Sequence, residues 1–204
     1  MIAIIDYGVG NLFSLKSSFS CIGEDITVSG DKNIIRSADK IILPGVGAFG
    51  DAAEKLKRAG LDEVLKSEAK KGKPILGICL GMQLLFDKSL EYGEHRGLGL
   101  IHGNVVPMRG IIPDNLKIPH IGWNGLHFTD KKSDLLKYID ENDCVYFVHS
   151  FFASECNEAI TSTTEYGCEI TATVENRNIY GCQFHPEKSG SVGLKILKAF
   201  CETE

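Results

Sequence analysis

Three residues of this chain have the types and spacing for acyl-transfer chemistry: Cys79, His185 and Glu187. Cys79 stands in "PILGICLGMQLLF", residues 74–86. The half before it is short, apolar and opened by proline, the pattern of a buried strand. The half after it is rich in helix formers. The cysteine therefore falls where a strand becomes a helix, with Gly77 and Gly81 placed to avoid the Cβ clashes of a sharp corner. G-x-C-x-G is the thiol counterpart of the nucleophile elbow, and a helix start favours the thiolate. A small buried cysteine in an ordinary β-α unit is the competing reading of this stretch taken alone.

A cysteine nucleophile needs a base, and the base needs a group that orients its ring. Gln183-Phe184-His185-Pro186-Glu187-Lys188-Ser189 offers both. His185 and Glu187 are two apart, so an extended backbone sends both side chains the same way, and Pro186 suits a strand end. A surface H-P-E turn is the alternative. The oxyanion needs donors: one is the N–H after the nucleophile, Leu80, and the Pro44-Gly45-Val46-Gly47 turn can present another. His149 ends an apolar strand and is a rival base, but no carboxylate follows it. His95, His102, His120 and His127 show no ligand spacing and read as surface or loop residues.

The elements that must position these groups alternate over the first two-thirds of the chain. Ile2–Ile5 and Lys40–Leu43 read as strands, Leu12–Ile22 as a helix, and 51–70 as one longer amphipathic helix. Strands separated by such helices imply βαβ units. The expected fold is α/β, an open, mostly parallel central sheet with flanking helices, in one domain spanning 1–204. After Gly93 shorter strands are expected at 97–101, 105–107, 121–128 and 144–148, a brief helix at 133–139, further strands within 159–184, and a closing helix at 192–200.

A net charge of −5 and no basic run interleaved with aromatics argue against a nucleic-acid binder. No apolar stretch approaches the ~20 residues of a membrane helix. The N-terminus lacks a signal-peptide pattern, and seven cysteines without a C-x-x-C pair read as free thiols of a cytoplasmic protein, six of them structural or on the surface.

With these residues in view, the chain resembles the class I, triad-type glutamine amidotransferases. Within them it resembles the glutaminase subunits of imidazole glycerol phosphate synthase. The segments that carry the likeness are "DYGVGNLFS" (6–14), "LPGVGAFGDA" (43–52), "GICLGMQLLF" (77–86), "GLGLIHGNVV" (97–106), "PHIGWN" (119–124), "YFVHS" (146–150) and "QFHPEKSG" (183–190). The resemblance implies that Cys79 attacks the carboxamide of glutamine, with His185 oriented by Glu187. It implies Val46, Gly47 and Leu80 at the oxyanion, and Gln83, Glu91, Ser150 and Phe151 at the substrate. Neither cofactor nor metal is implied. The partner it implies is a (β/α)₈ cyclase subunit that receives the ammonia, with Asn11, Trp123, Tyr146 and Lys188 at or near the interface. A buried core position for Trp123 competes with an exposed one. The resemblance further implies a subunit nearly inactive alone, its Val46 amide turned away until the partner binds its nucleotide. The alternatives are a paralogue feeding another acceptor such as an amidino sugar, a regulatory subunit without catalysis, and a stand-alone cysteine hydrolase.

Overall fold

The computed structural model describes residues 1–131 and 133–203. Lys132 and Glu204, inside the expected 1–204 domain, lie outside the described residues. The first half runs β1 (Ile2–Ile5), α1 (Leu12–Cys21), β2 (Ile26–Ser29), α2 (Lys32–Ser37), β3 (Lys40–Leu43), α3 (Phe49–Ala59), α4 (Leu61–Lys70), β4 (Ile75–Ile78) and α5 (Leu80–Leu84). β1 and β4, and β3 after Lys40, carry no polar side chain because they are covered on both faces. Ile5, Ile41, Leu43 and Ile75 pack toward α2, α3 and α4, while Ile4, Ile42, Leu76 and Ile78 pack with Phe19 and Phe200 on the other side. That is the two-residue alternation of a pleated strand used twice over.

The second half contributes β5 (Lys88–Ser89), β6 (His95–Arg96), β7 (Asn104–Pro107), β8 (His120–Gly125), β9 (His127–Phe128), β10 (Cys144–His149), β11 (Phe151–Ser154), β12 (Ile160–Glu165), β13 (Glu169–Asn176), β14 (Ile179–Cys182) and α6 (Gly190–Cys201). The main sheet has the order β2-β1-β3-β4-β14-β13-β12-β9. From β2 to β14 every pairing is parallel, and from β14 to β9 every pairing is antiparallel. A ribbon of β8 and β10 and a small sheet of β11, β7, β5 and β6 flank it. Among the described residues no helix is long and apolar enough to cross a membrane.

Three expectations are corrected. The helix over 51–70 is two helices, because Gly60 adopts φ 62 and its N–H closes the end of α3. The expected strand at 97–101 is irregular backbone ending in a bend. The N–H groups of Leu98, Gly99 and Leu100 bond to the carbonyls of Leu84, Phe86 and Leu85, so these amides satisfy the open end of α5 and not a strand neighbour. The third, concerning His120, belongs to the site. Residues 26–37 carried no expectation. They hold the edge strand β2 and α2, whose start is capped by Asp31 accepting from Asn33 and Ile34.

Candidate active site

β3, β4 and β14 are neighbours in the sheet and end on the same side, where open α/β sheets bind ligands. Cys79 follows β4 directly, with φ 53 and ψ −112. For a residue with a Cβ this conformation costs about 1–3 kcal/mol and persists only where its surroundings impose it. They do so through glycines. A Cβ on Gly77 would meet Met82 backbone at 2.7 Å, and one on Gly181, its sheet partner, would meet the Met82 side chain at the same distance. This bare strip lets α5 lie directly on the sheet. A Cβ on Gly81 would fall 1.8 Å from Leu43 O, and one on Gly45 would fall 2.8 Å from Gly81 N. The elbow and the loop after β3 therefore meet backbone to backbone, which sets Val46 and Gly47 beside Leu80. Tyr7 pins the same loop by donating its hydroxyl to Pro44 O at 2.8 Å.

His185 lies three residues beyond β14, and its N–H bonds to Tyr146 O at 2.9 Å. Its Nδ1 is 2.8 Å from Glu187 Oε1, both side chains being almost fully buried. The sequence pairs these two through an extended backbone. In the structure Pro186–Lys188 is a turn of 3-10 helix, begun by proline at the position where no N–H is needed. Burial pushes the His185 pKa down, but hydrogen bonds to Cys79 and Glu187 and the charges of both outweigh it and raise it to about 9. The ring is therefore held as imidazolium at neutral pH when sulfur and carboxylate are charged.

A cleft of about 420 Å³ brings together Cys79, Leu80, Val46, Gly47, Gln83, Glu91, Ser150, Phe151, His185 and Lys188, with Pro119, Val148 and His149 in its wall. Gln83 Nε2 donates to Phe151 O at 3.0 Å. Glu91 reaches across 42 residues to accept the N–H of Phe49, the first residue of α3, whose own cap position, Ala48, supplies no side-chain acceptor. Trp123 is 54% exposed and packs edge-on to Tyr146, whose ring lies under the Lys188 ammonium at 5.8 Å. Asn11 stands apart from the cleft wall. Its side chain accepts from Ser14 N and caps α1.

His149, the rival base, is buried, and its pKa is pushed down to about 3 by burial. Its two nitrogens contact Phe151 O and His120. His120 is the third correction. It is a buried strand residue stacked between Phe147 and Tyr166, not a surface histidine. Sequence reasoning gave no role to Gln183, which is fully buried with its amide on Gln83 and on Cys79 Sγ. The signal was there: Gln183 stands two residues before His185 in an otherwise apolar run, and an amide buried there requires partners.

The family model described as "Glutamine amidotransferase class-I" matches residues 3–203. The chain is 49% identical over 202 residues to "Imidazole glycerol phosphate synthase subunit HisH" of Lactococcus lactis subsp. lactis (strain IL1403), covering 98% of each chain. It is 51% identical to the protein of the same name from Sulfurimonas denitrificans, covering 98% of this chain and 97% of that one. Among solved structures, one described as "Crystal structure of glutamine amidotransferase" has a TM-score of 0.77 at 15% identity, covering 99% of this chain and 98% of that one. The structure of PurLQS from Thermotoga maritima has a TM-score of 0.74 at 19% identity, covering 98% and 96%. At these identities the structural likeness is one of fold.

Proposed function

Because the chain belongs to the class-I glutamine amidotransferase family, we propose that Cys79 hydrolyses glutamine and that the ammonia passes to a cyclase partner. The assembly is imidazole glycerol phosphate synthase of histidine biosynthesis, the enzyme whose subunit the relatives are named for. The working unit is one amidotransferase domain over residues 1–204. The observation that carries the chemistry is a cysteine in a strained elbow facing a buried histidine–carboxylate pair.

Glutamine lies with its ammonium toward Glu91 and its carboxamide over Cys79. The sulfur attacks the carboxamide carbon, and an S–C bond forms as the oxygen takes up negative charge. Leu80 N–H, the first of α5 and therefore without an intrahelical acceptor, binds that oxygen together with the Val46–Gly47 loop. The C–N bond then breaks, and His185, cationic and held by Glu187, gives its proton to the leaving nitrogen. The products of this half are ammonia and a γ-glutamyl thioester. Water, deprotonated by His185, attacks the thioester, the C–S bond breaks, and glutamate leaves.

Ammonia is useful to an acceptor only while unprotonated, which favours direct transfer. The ribbon of β8 and β10 borders the cleft through Val148, and Ile121 and Trp123, two apart on β8, are both exposed. Such a face suits a docked subunit, with Trp123, Tyr146 and Lys188 on it and Asn11 at the head of α1. The test is glutamate release from glutamine by the chain alone and with a cognate (β/α)₈ cyclase and its nucleotide. A large rise that Cys79→Ser abolishes is expected. Slow Cys79-dependent turnover that the cyclase does not change would remove the assignment to this synthase.

A further inference from the structure

The amide of Gln183 takes no part in the steps above, yet it stands against the nucleophile. Its Oε1 accepts from Gln83 Nε2 at 3.0 Å, and its Nε2 faces Cys79 Sγ at 3.8 Å. The inventory of donors fixes both amides independently of how their oxygen and nitrogen are placed. Phe151 O can only accept, so Gln83 must turn its NH₂ toward it. The same NH₂ faces Gln183, which must answer with oxygen. What Gln183 has left for the sulfur is an N–H. Turning Gln183 around would set two donors against each other in a buried site, at the full cost of unmade hydrogen bonds.

We propose that Gln183 is a positioning residue for the nucleophile, its N–H holding the Cys79 sulfur as an anionic acceptor and the Gln83–Gln183 pair tying that position to the Phe151 carbonyl. The contact is long for a neutral thiol and tightens when sulfur is charged, since hydrogen bonds to ionised acceptors are shorter and stronger. The arrangement also narrows the role of Gln83. With both N–H groups engaged, it has only its oxygen to offer a substrate and can accept from glutamine but not donate to it. The inference rests on the reading of Cys79 as the nucleophile.

The titratable groups around Cys79 are His185 with Glu187 behind it, Tyr7 just beyond β1, the buried Cys182 thiol on β14, and Glu91, His149 and Lys188 in the cleft lining. All of them remain when Gln183 is changed, so a shift in the sulfur's titration reports the amide. The experiment follows the alkylation rate of Cys79 by iodoacetamide against pH in the full chain, read by peptide mass spectrometry. In Gln183→Met the rate at pH 7 should fall ~5–10-fold, with the pH midpoint moved up and the alkaline plateau unchanged. Thr171→Val is the control for loss of a buried polar bond on the neighbouring strand, since Thr171 donates to Ala153 O at 2.8 Å. It should leave the titration where it is. A folded Gln183→Met whose midpoint matches the unmodified chain overturns the proposal. Should that variant not fold, the side-chain ¹⁵N–¹H signals of Gln183 decide. They should shift between the unmodified chain and Cys79→Ser, and signals that do not shift overturn it. Glutamate release in the presence of the cyclase and its nucleotide is read separately. Gln183-dependent alkylation without glutamate release under those conditions would count against the catalytic reading and leave only the contact of the amide with the sulfur standing.

Discussion

The elbow and the Val46–Gly47 loop face each other across one cleft and are held in opposite ways. On the elbow side a Cβ at Gly81 or Gly77 would collide with backbone, Cys79 is locked at φ 53, and α5 has no room to shift. On the loop side Gly47 has φ 93 with no atom within 4 Å of its Cβ position, and Val46 is 43% exposed. Gly45 and the Tyr7–Pro44 bond anchor the root of that loop, while its tip is left open. In the proposed mechanism, the nucleophile and its base are therefore fixed in advance, and the freedom left in the cleft lies with the Val46–Gly47 oxyanion donors.

The largest effect expected on the rigid side is that of Cys79→Ser, which should lower glutamate release by at least ~10³-fold with the partner present. Next is Glu187→Gln. It should cost ~10²–10⁴-fold in kcat, by analogy with the loss of an orienting carboxylate in a triad, and it also has a pH signature. In the proposed mechanism His185 must be protonated to release ammonia; burial lowers its pKa, but bonds to Cys79 and Glu187 and their charges outweigh it and raise it to about 9. Activity should therefore fall as pH rises through about 9. In Glu187→Gln that falling limb should move to lower pH. A limb that stays in place would break the link between the two side chains.

The glycines sharpen the contrast directly. Gly81→Ala should destabilise the fold by about 3 kcal/mol or more in denaturant titrations, because its Cβ has only backbone to push against. Gly47→Val should leave stability within about 1–2 kcal/mol, the cost of a side chain at positive φ. It should reduce activation by the cyclase more than it reduces cyclase binding, and equal losses in both would count against an adjustable loop. The smallest effect belongs to the rim. Trp123→Ala should weaken partner binding by about 2 kcal/mol, read by calorimetry, and leave turnover without the partner unchanged.

How much of this was legible in the sequence follows the same division. The parallel half of the sheet was readable because β1, β3 and β4 are short apolar runs between clear turns, and the elbow because its glycines bracket Cys79. His185 and Glu187 were found as a pair although the backbone that joins them is a 3-10 turn. Residues 97–101 misled because their apolar residues look like a strand while their amides serve α5. His120 misled because what buries it, Phe147 and Tyr166, lies 27 and 46 residues away in sequence. Gln183 was quoted within its motif and given no role, since an amide declares its purpose only when its partners are seen.

The most direct test of the central claim is intact-mass and peptide analysis of the chain, acid-quenched during turnover with glutamine and the cyclase complex. The mass of one γ-glutamyl group is expected on the peptide containing Cys79, absent in Cys79→Ser and diminished when His185, which supplies the proton that releases ammonia, is replaced. Glutamate release that continues in Cys79→Ser, or a glutamyl group found on another residue, would contradict it.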